Sequence, residues 1–80
     1  NAVNADRIRT ALLDPVALAE RARARGLSPD DYYRANLLGH EGTADDVARA
    51  VGFFTAAEAV FVTSQVLYVC GGARVGSIVI

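Results

Sequence analysis

Apolar and polar positions along the chain follow a pattern that predicts a strand, three helices and a second strand, in that order. The clearest element is the third helix, where Val47, Ala50, Val51 and Phe54 recur at helical spacing and form one apolar stripe. We expect this helix over residues 44–57.

Two shorter helices are predicted upstream from their start signals. Asp14 precedes Pro15 and Ser28 precedes Pro29. An oxygen-bearing side chain followed by proline is typical of an N-cap and a first helical position. Gly26 can supply the left-handed residue that ends the first of these helices. The expected ranges are residues 15–25 and 29–37.

Strands are expected on both sides of this helical stretch. Gln65–Cys70 is a β-branched and aromatic run of strand length, followed by two glycines. The opening residues, 1–8, are typical of the end of a buried strand that runs into a loop. Two strands joined through helices pair in parallel. The predicted fold class is therefore α/β.

Composition narrows the possible functions. Hydrophobic residues make up 52% of the sequence and the net charge is −1, which excludes a disordered tail and a basic nucleic-acid surface. Every basic residue is an arginine, so mechanisms that need a lysine are excluded. Cys70 and His40 are the single cysteine and histidine, too few for an internal disulfide or a zinc site.

The chain has no apolar run near the roughly 20 residues that cross a membrane. Residues 1–10 lack the apolar core of a signal peptide. We therefore expect a cytoplasmic protein with neither a membrane nor a nucleic acid as partner. A chain of 80 residues without disulfide or metal builds only a small core, so we also expect a fragment of a larger domain or an oligomer.

Residues 43–72 resemble the C-terminal signature of the short-chain dehydrogenase/reductase family. The matching residues are Thr43, Asp46, Val47, Ala48, Ala50, Val51, Phe53, Ala59, Phe61, Val62, Thr63, Gln65, Val66, Leu67, Val69, Gly71 and Gly72. Val3–Thr10 resembles the family's loop after its sixth strand, usually Val-Asn-Pro-Gly-x-Ile-x-Thr. Within the family, the chain is most similar to the dehydrogenase half of bifunctional deoxysugar aldolase/dehydrogenases.

The resemblance implies a fold. It makes residues 1–80 the C-terminal part of a single doubly wound, Rossmann-type parallel sheet, with the rest of that domain as partner. Residues 1–12 would be the nicotinamide-side loop, 13–42 the substrate lid, 43–72 the last helix and strand, and 73–80 a tail.

The resemblance also implies a function, as the C-terminal segment of an NAD(P)-dependent oxidoreductase acting on an alcohol or carbonyl substrate. Ile8 and Thr10 match family positions that contact the nicotinamide carboxamide and the cofactor phosphates. Tyr32, Tyr33 and Asn36 lie on the implied lid, where their polar tips can face a hydroxylated substrate.

The family's catalytic Tyr-x-x-x-Lys motif is absent, so we assign no catalytic residue and no metal ligand. NAD or NADP is expected to bind the complete enzyme and not this chain alone. Other departures are Ala5-Asp6 for the usual Pro-Gly and Ser64 for a common glycine. Cys70–Ser77 resembles the family's dinucleotide loop, but Val75 and Ser77 occupy glycine positions, so a Gly-Gly strand exit is expected there.

The alternative function is a non-catalytic interaction module, either standing alone or as the remnant of an enzyme. In both cases we expect a homo-oligomer through Gln65–Val69, an uncharged edge strand, and the helix over residues 44–57.

Structural roles compete with several of the site assignments. Tyr32 and Tyr33 can pack with buried rings and wet hydroxyls. His40 fits a surface loop and Cys70 a small buried position. Arg21, Arg23 and Arg25 fit a solvated helix face. We expect few large apolar anchors over residues 15–38.

Overall fold

The computed structural model describes residues 1–77, so the last three residues of the predicted 73–80 tail lie outside the described chain. Its elements are β1 (Ala2–Ala5), α1 (Pro15–Ala24), α2 (Pro29–Tyr33), α3 (Ala44–Thr55) and β2 (Val66–Val69). This order confirms the predicted α/β class with three helices between two strands.

The two strands of the described chain form one parallel sheet. Ala2 lies opposite Val66, and Ala5 lies opposite Val69. The helix α3 packs against both strands, whereas α1 packs against α2. The sheet therefore packs against α3, the α1–α2 pair contacts neither strand, and the predicted parallel pairing is confirmed.

The predicted starts of α1 and α2 are formed by side-chain caps. The Asp14 carboxylate accepts a hydrogen bond from the Ala17 N–H at 2.9 Å. The Ser28 hydroxyl oxygen accepts one from the Asp31 N–H at 3.1 Å. Each bond satisfies a backbone donor that the first helical turn leaves unpaired.

The start of α3 is a complete capping box. The Thr43 N–H donates to the Asp46 carboxylate at 2.8 Å, and the Asp46 N–H donates to the Thr43 hydroxyl at 3.3 Å. The hydrogen bonds from the Thr43 backbone and hydroxyl hold the pKa of Asp46 below its ordinary value, with a smaller contribution from Arg49.

The ends of α1 and α2 differ in how well local sequence predicts them. α1 ends at Ala24, and Gly26 takes the left-handed φ of +71° as expected. The prediction that α2 continues to residue 37 is wrong, because it ends at Tyr33 and leaves Asn36 outside the helix. The Asn36 side chain bonds the backbone of His40 instead, and such local bonds compete with helix formation.

The buried core lies between α1 and α2. Ala22, Tyr32 and Tyr33 are buried, and Leu13 and Leu18 pack against them. The two tyrosine rings meet edge to face, with centroids 5.7 Å apart. Two adjacent aromatic rings therefore anchor residues 15–38, the segment over which few large apolar anchors are expected.

The sheet and α3 form a more open layer. No residue of α3 is buried, and Phe53 is 55% exposed. The strand β1, predicted as the end of a buried strand, is mostly exposed, and Leu67 of β2 is 40% exposed. Within residues 1–77, nothing covers these faces of the sheet and helix, which is why the strands are accessible.

Candidate functional site

The candidate site lies where the two strands end. Because β1 and β2 are parallel, their carboxyl ends share one edge of the sheet. In open α/β sheets, ligands bind outside this edge. A cavity of about 740 Å³ lies there, lined by Asp6 and Ile8 after β1, by Leu38 and His40, and by Cys70 after β2.

Ile8, the predicted nicotinamide-side residue, is held beside Gly42. The two residues form an isolated parallel bridge, in which the Arg9 N–H donates to the Gly42 carbonyl at 3.1 Å. Successive backbone groups of an extended chain point in opposite directions, so the Ile8 N–H faces away from Gly42. A Cβ atom at position 42 would lie 2.8 Å from Ile8 Cδ1, so any larger residue there would displace the end of the Ile8 side chain.

Arg7 is a member of the site that the sequence did not indicate. Its φ is +54°, in the left-handed region that a non-glycine residue adopts at a cost. Its guanidinium donates to the Ala35 carbonyl at 3.2 Å and lies 5.0 Å from the centre of the Tyr32 ring. These contacts hold the strained loop against α2.

Arg9 ties the same loop to the helical segment in three ways. Its guanidinium lies 4.4 Å from the centre of the Tyr33 ring. It also forms ion pairs with Asp30, at 3.3 Å, and with Glu41. Two arginines at alternate positions of the loop thus contact two adjacent tyrosines, a pattern that the spacing of Arg7 and Arg9 alone does not reveal.

The predicted lid residues are brought together, but their surroundings differ. Tyr32 and Tyr33 have buried rings that face the arginines of the β1 loop. The Asn36 side chain donates to the His40 carbonyl at 2.7 Å and accepts from the His40 N–H at 3.3 Å. The amide of Asn36 therefore holds the chain that crosses the site, and His40 itself is exposed.

The Gly71-Gly72 pair is a strand exit, as expected. Both residues have positive φ, +59° and +88°. A Cβ atom on Gly71 would lie 2.8 Å from the Asn36 side chain, and one on Gly72 would lie 2.9 Å from Leu37 Cδ1. The Leu38 N–H donates to the Gly71 carbonyl at 3.1 Å. Two glycines thus allow residues 36–38 to pack directly on the end of β2.

The chain after Gly72 forms turns where a dinucleotide loop would lead into a helix. The Ala73 N–H donates to the Cys70 carbonyl at 3.0 Å, and the Val75 N–H donates to the Gly72 carbonyl at 2.8 Å. The thiol of Cys70 is buried, and hydrogen bonds from the backbone of Arg74, Gly72 and Ala73 lower its pKa. Burial and the nearby Asp6 carboxylate oppose this shift.

Thr10, the predicted phosphate contact, lies in a second and smaller cavity. It is exposed, and its hydroxyl oxygen accepts a hydrogen bond from the Leu12 N–H at 3.3 Å. This cavity has a volume of about 390 Å³ and is also lined by Ile8 and Arg7. Ile8 thus borders both cavities, whereas Thr10 borders only the smaller one.

Two further searches of the described chain concern metals and membranes. Residues 1–77 contain no group of three His, Cys, Asp or Glu side chains placed to hold a metal ion. None of the helices described here has the length and apolar character needed to cross a membrane.

Comparison with known proteins gives no match. No protein-family model matches the chain, and neither the curated proteins nor the solved structures contain one that is significantly similar to it.

Proposed function

We propose that this chain is the C-terminal segment of an NAD(P)-dependent short-chain oxidoreductase that acts on an alcohol or carbonyl substrate. The observation that carries the proposal is the direct parallel pairing of β1 with β2, with α3 packed on both strands. This is the arrangement of the last two strands and last helix that the sequence resemblance implies. The proposed parent fold is a doubly wound, Rossmann-type sheet, of which these strands form one side.

The cofactor in this proposal is NAD or NADP, bound at the carboxyl edge of the sheet. The free Ile8 N–H donates to the nicotinamide carboxamide, and the Thr10 hydroxyl donates to a cofactor phosphate. Two features support these roles. The Ile8 bridge to Gly42 uses the Arg9 N–H and leaves that of Ile8 available. The Thr10 hydroxyl accepts from Leu12 and keeps its own proton to donate.

The segment 13–42 serves as the substrate lid in this proposal. It is connected to the cofactor-side loop through the Arg7–Tyr32 and Arg9–Tyr33 contacts, and to the end of β2 through Leu38. A lid held on both sides closes the larger cavity and excludes water from hydride transfer. The hydride transfer itself is cofactor chemistry.

The backbone at Ser64 gives further support. The resembled family commonly has glycine at this position, and here Ser64 has a φ of +62°. Glycine adopts such a φ without steric cost, so the backbone at Ser64 has the conformation expected at a glycine position.

The exposed apolar faces of α3 and β2 also support a chain that is covered by more protein. The rest of the dehydrogenase domain and a second copy of the chain are both proposed partners. The same exposure favours the second candidate, a non-catalytic interaction module, because Phe61 is 94% exposed and Phe53 is 55% exposed. The two candidates differ in whether a dinucleotide binds.

A chimera separates the two candidates. The chain replaces the corresponding C-terminal segment of a short-chain dehydrogenase with a known carbonyl substrate, which supplies the glycine loop and the Tyr/Lys pair. We expect the chimera to bind NADH or NADPH and to reduce the carbonyl. The 80-residue chain alone is expected to bind neither cofactor at micromolar concentration.

Matched threonine variants test the cofactor contact. Thr10→Val in the chimera should raise the dissociation constant of the cofactor about tenfold, the effect of losing one hydrogen bond to a charged group. Thr63→Val, an exposed threonine before β2, should leave it unchanged. A folded chimera that binds no dinucleotide would overturn the proposed function and favour the interaction module.

A further inference from the structure

The smaller cavity differs from the larger one in its charge. The charged residues that line the larger cavity include the carboxylates of Asp6, Glu41 and Asp46. The smaller cavity is lined by two arginines, Arg7 and Arg21, and by a single acidic residue, Asp6. Although the two cavities share the β1 loop, only the smaller one presents an excess of positive charge.

Arg7 is held in place as one side of this cavity. It is half-buried, and its Nη1 atom donates to the Ala35 carbonyl at 3.2 Å. Its guanidinium also stacks on the Tyr32 ring. An arginine has five N–H donors, and a guanidinium fixed through one of them loses little further freedom when it binds a ligand.

Arg21 of α1 is the second side. Unlike Arg23 on the same helix, it lines the cavity. The ion pairs seen in residues 1–77 involve Arg9, Arg34 and Arg49, so Arg21 is not neutralised by any described carboxylate. An arginine without a carboxylate partner, on the same cavity as a fixed arginine, is suited to bind an anion.

We propose that this cavity binds a phosphoryl group between Arg7 and Arg21, with the Thr10 hydroxyl as a further donor. The planar guanidinium group of arginine can donate to two oxygens of a phosphate, and two guanidinium groups together balance the negative charge of the phosphate. A volume of about 390 Å³ is at the small end of ligand sites and accommodates a phosphate ester. The phosphoryl group belongs either to a small phosphate ester or, in which case the inference rests on the proposed function, to the dinucleotide.

Titration of the full 80-residue chain with inorganic phosphate and with inorganic pyrophosphate, at constant ionic strength, tests the proposal. Binding is followed by the phosphorus-31 chemical shift and by calorimetry. We expect saturable binding that Arg21→Gln weakens at least tenfold. Arg23→Gln is the matched control, because it removes the same charge from the same helix outside the cavity, and it should change the affinity less than twofold.

Two results would overturn the proposal. One is equal weakening by Arg21→Gln and Arg23→Gln, since that indicates a general charge effect. The other is the absence of saturable binding of either anion to a chain with native circular dichroism. If Arg21→Gln does not fold, Arg21→Lys takes its place. It keeps the charge but loses the planar fork, and should weaken binding severalfold.

Competition identifies the source of the phosphoryl group. In the chimera, displacement of pyrophosphate by NADH assigns the cavity to the cofactor, whereas phosphate that stays bound with saturating NADH assigns it to a separate phosphate ester. The test is independent of the proposed function. A chimera that transfers hydride but shows no Arg21-dependent phosphate binding overturns this inference alone. Phosphate binding without hydride transfer overturns only the proposed function.

Discussion

The guanidinium of Arg9 lies 4.4 Å from the centre of the Tyr33 ring and joins the loop after β1 to the buried core. It also pairs with Asp30 and Glu41, which lie on either side of Tyr33 in the sequence. One side chain thus connects the carboxyl edge of the sheet to both ends of the segment that crosses it.

We therefore predict that Arg9→Ala lowers the free energy of unfolding by about 1 kcal/mol, the sum of a partly exposed cation–π contact and partly screened ion pairs. Arg23→Ala, which removes an exposed arginine from α1, should change it by less than about 0.5 kcal/mol. Urea denaturation followed by circular dichroism measures both. Equal midpoints for the two variants would show that the Arg9 contacts add no stability.

Some of this fold is readable from the sequence because it depends on neighbouring residues. Asp14, Ser28 and Thr43 each cap a helix through a residue three positions further on, and these starts were predicted correctly. The end of α2 at Tyr33 was not predicted, because the Asn36 side chain bonds the His40 backbone and the Leu38 N–H bonds the carbonyl of Gly71, which lies far away in the sequence.

The candidate site, too, was predicted only in part from the sequence. Ile8 and Thr10 were indicated by a family resemblance, and the structure places them at the carboxyl edge of β1. Arg7 and Arg9 were not indicated, because their role depends on the return of α2 onto the loop. The packing of α2 on this loop is a tertiary contact that leaves no periodic pattern in the sequence, so neither composition nor residue spacing predicts it.

Glycine substitutions provide the second prediction, because the chain contains three contrasting cases. Gly71→Ala should destabilise the protein by roughly 2 kcal/mol or more, since it combines a left-handed φ with a contact of 2.8 Å to Asn36. Gly26→Ala isolates the cost of φ alone, about 1 kcal/mol, because its Cβ would meet open space. Gly52→Ala, in the middle of α3, should stabilise by about 0.5–1 kcal/mol.

Thermal unfolding monitored by circular dichroism ranks these three variants. The expected order of stability is Gly52→Ala, then wild type, then Gly26→Ala, then Gly71→Ala. If Gly71→Ala is no worse than Gly26→Ala, the close packing of residues 36–38 on the strand exit is refuted.

The capping box predicts a pH dependence. The pKa of Asp46 is lower in the folded chain than its ordinary value, because Thr43 hydrogen-bonds the ionised carboxylate. The stabilisation is therefore present above the ordinary aspartate pKa of about 3.9 and is lost as the pH falls through the lower folded value. Asp46→Asn should flatten the acid limb of the stability profile.

The free energy of unfolding of the wild type and of the variant is measured between pH 2 and pH 6, in steps on the order of half a pH unit. Asp45→Asn is the control, because Asp45 lies on the same first turn but outside the capping box. If Asp45→Asn flattens the acid limb as much as Asp46→Asn does, the pH dependence comes from the negative charge at the start of the helix and not from the capping box.

The thiol of Cys70 gives the fourth prediction. Hydrogen bonds from the turn after β2 lower the pKa of Cys70 in the folded chain. Alkylation by iodoacetamide should therefore rise with pH around a midpoint that is lower in the folded chain than in the unfolded chain. In urea, the midpoint should move up to that of the unfolded chain. Because the folded thiol loses its proton first, stability rises with pH between the folded and unfolded pKa values.

A variant at the strand exit separates the effect of the turn's hydrogen bonds on the pKa of Cys70 from the effect of burial. Gly72→Ala strains the turn that supplies the N–H donors, because residue 72 has a φ of +88°, and its Cβ would also crowd the Leu37 side chain at 2.9 Å. It should move the alkylation midpoint of Cys70 upwards. The same midpoint in the folded and the urea-unfolded wild type would contradict the role of these hydrogen bonds.

The last prediction concerns self-association. In the described chain, β2 pairs with β1 along one edge only, which leaves the other edge with unpaired N–H and C=O groups. Val66, Leu67 and Tyr68 are all exposed and uncharged, so this edge lacks the charges that prevent pairing. The adjacent α3 exposes Phe53. A two-fold axis beside β2 would cover the strand edge and the helix together.

We expect the chain to form dimers, and the double substitution of Leu67 and Val69 by lysine should weaken the dimer at least tenfold, about 1.4 kcal/mol. Light scattering over a concentration series measures the mass. Val60→Lys is the control, because Val60 is 89% exposed but belongs to neither β2 nor α3. An unchanged mass for the doubly substituted chain, with native circular dichroism, would place the interface elsewhere. A mass reduced equally by Val60→Lys would show that added charge, and not the edge of β2, controls association.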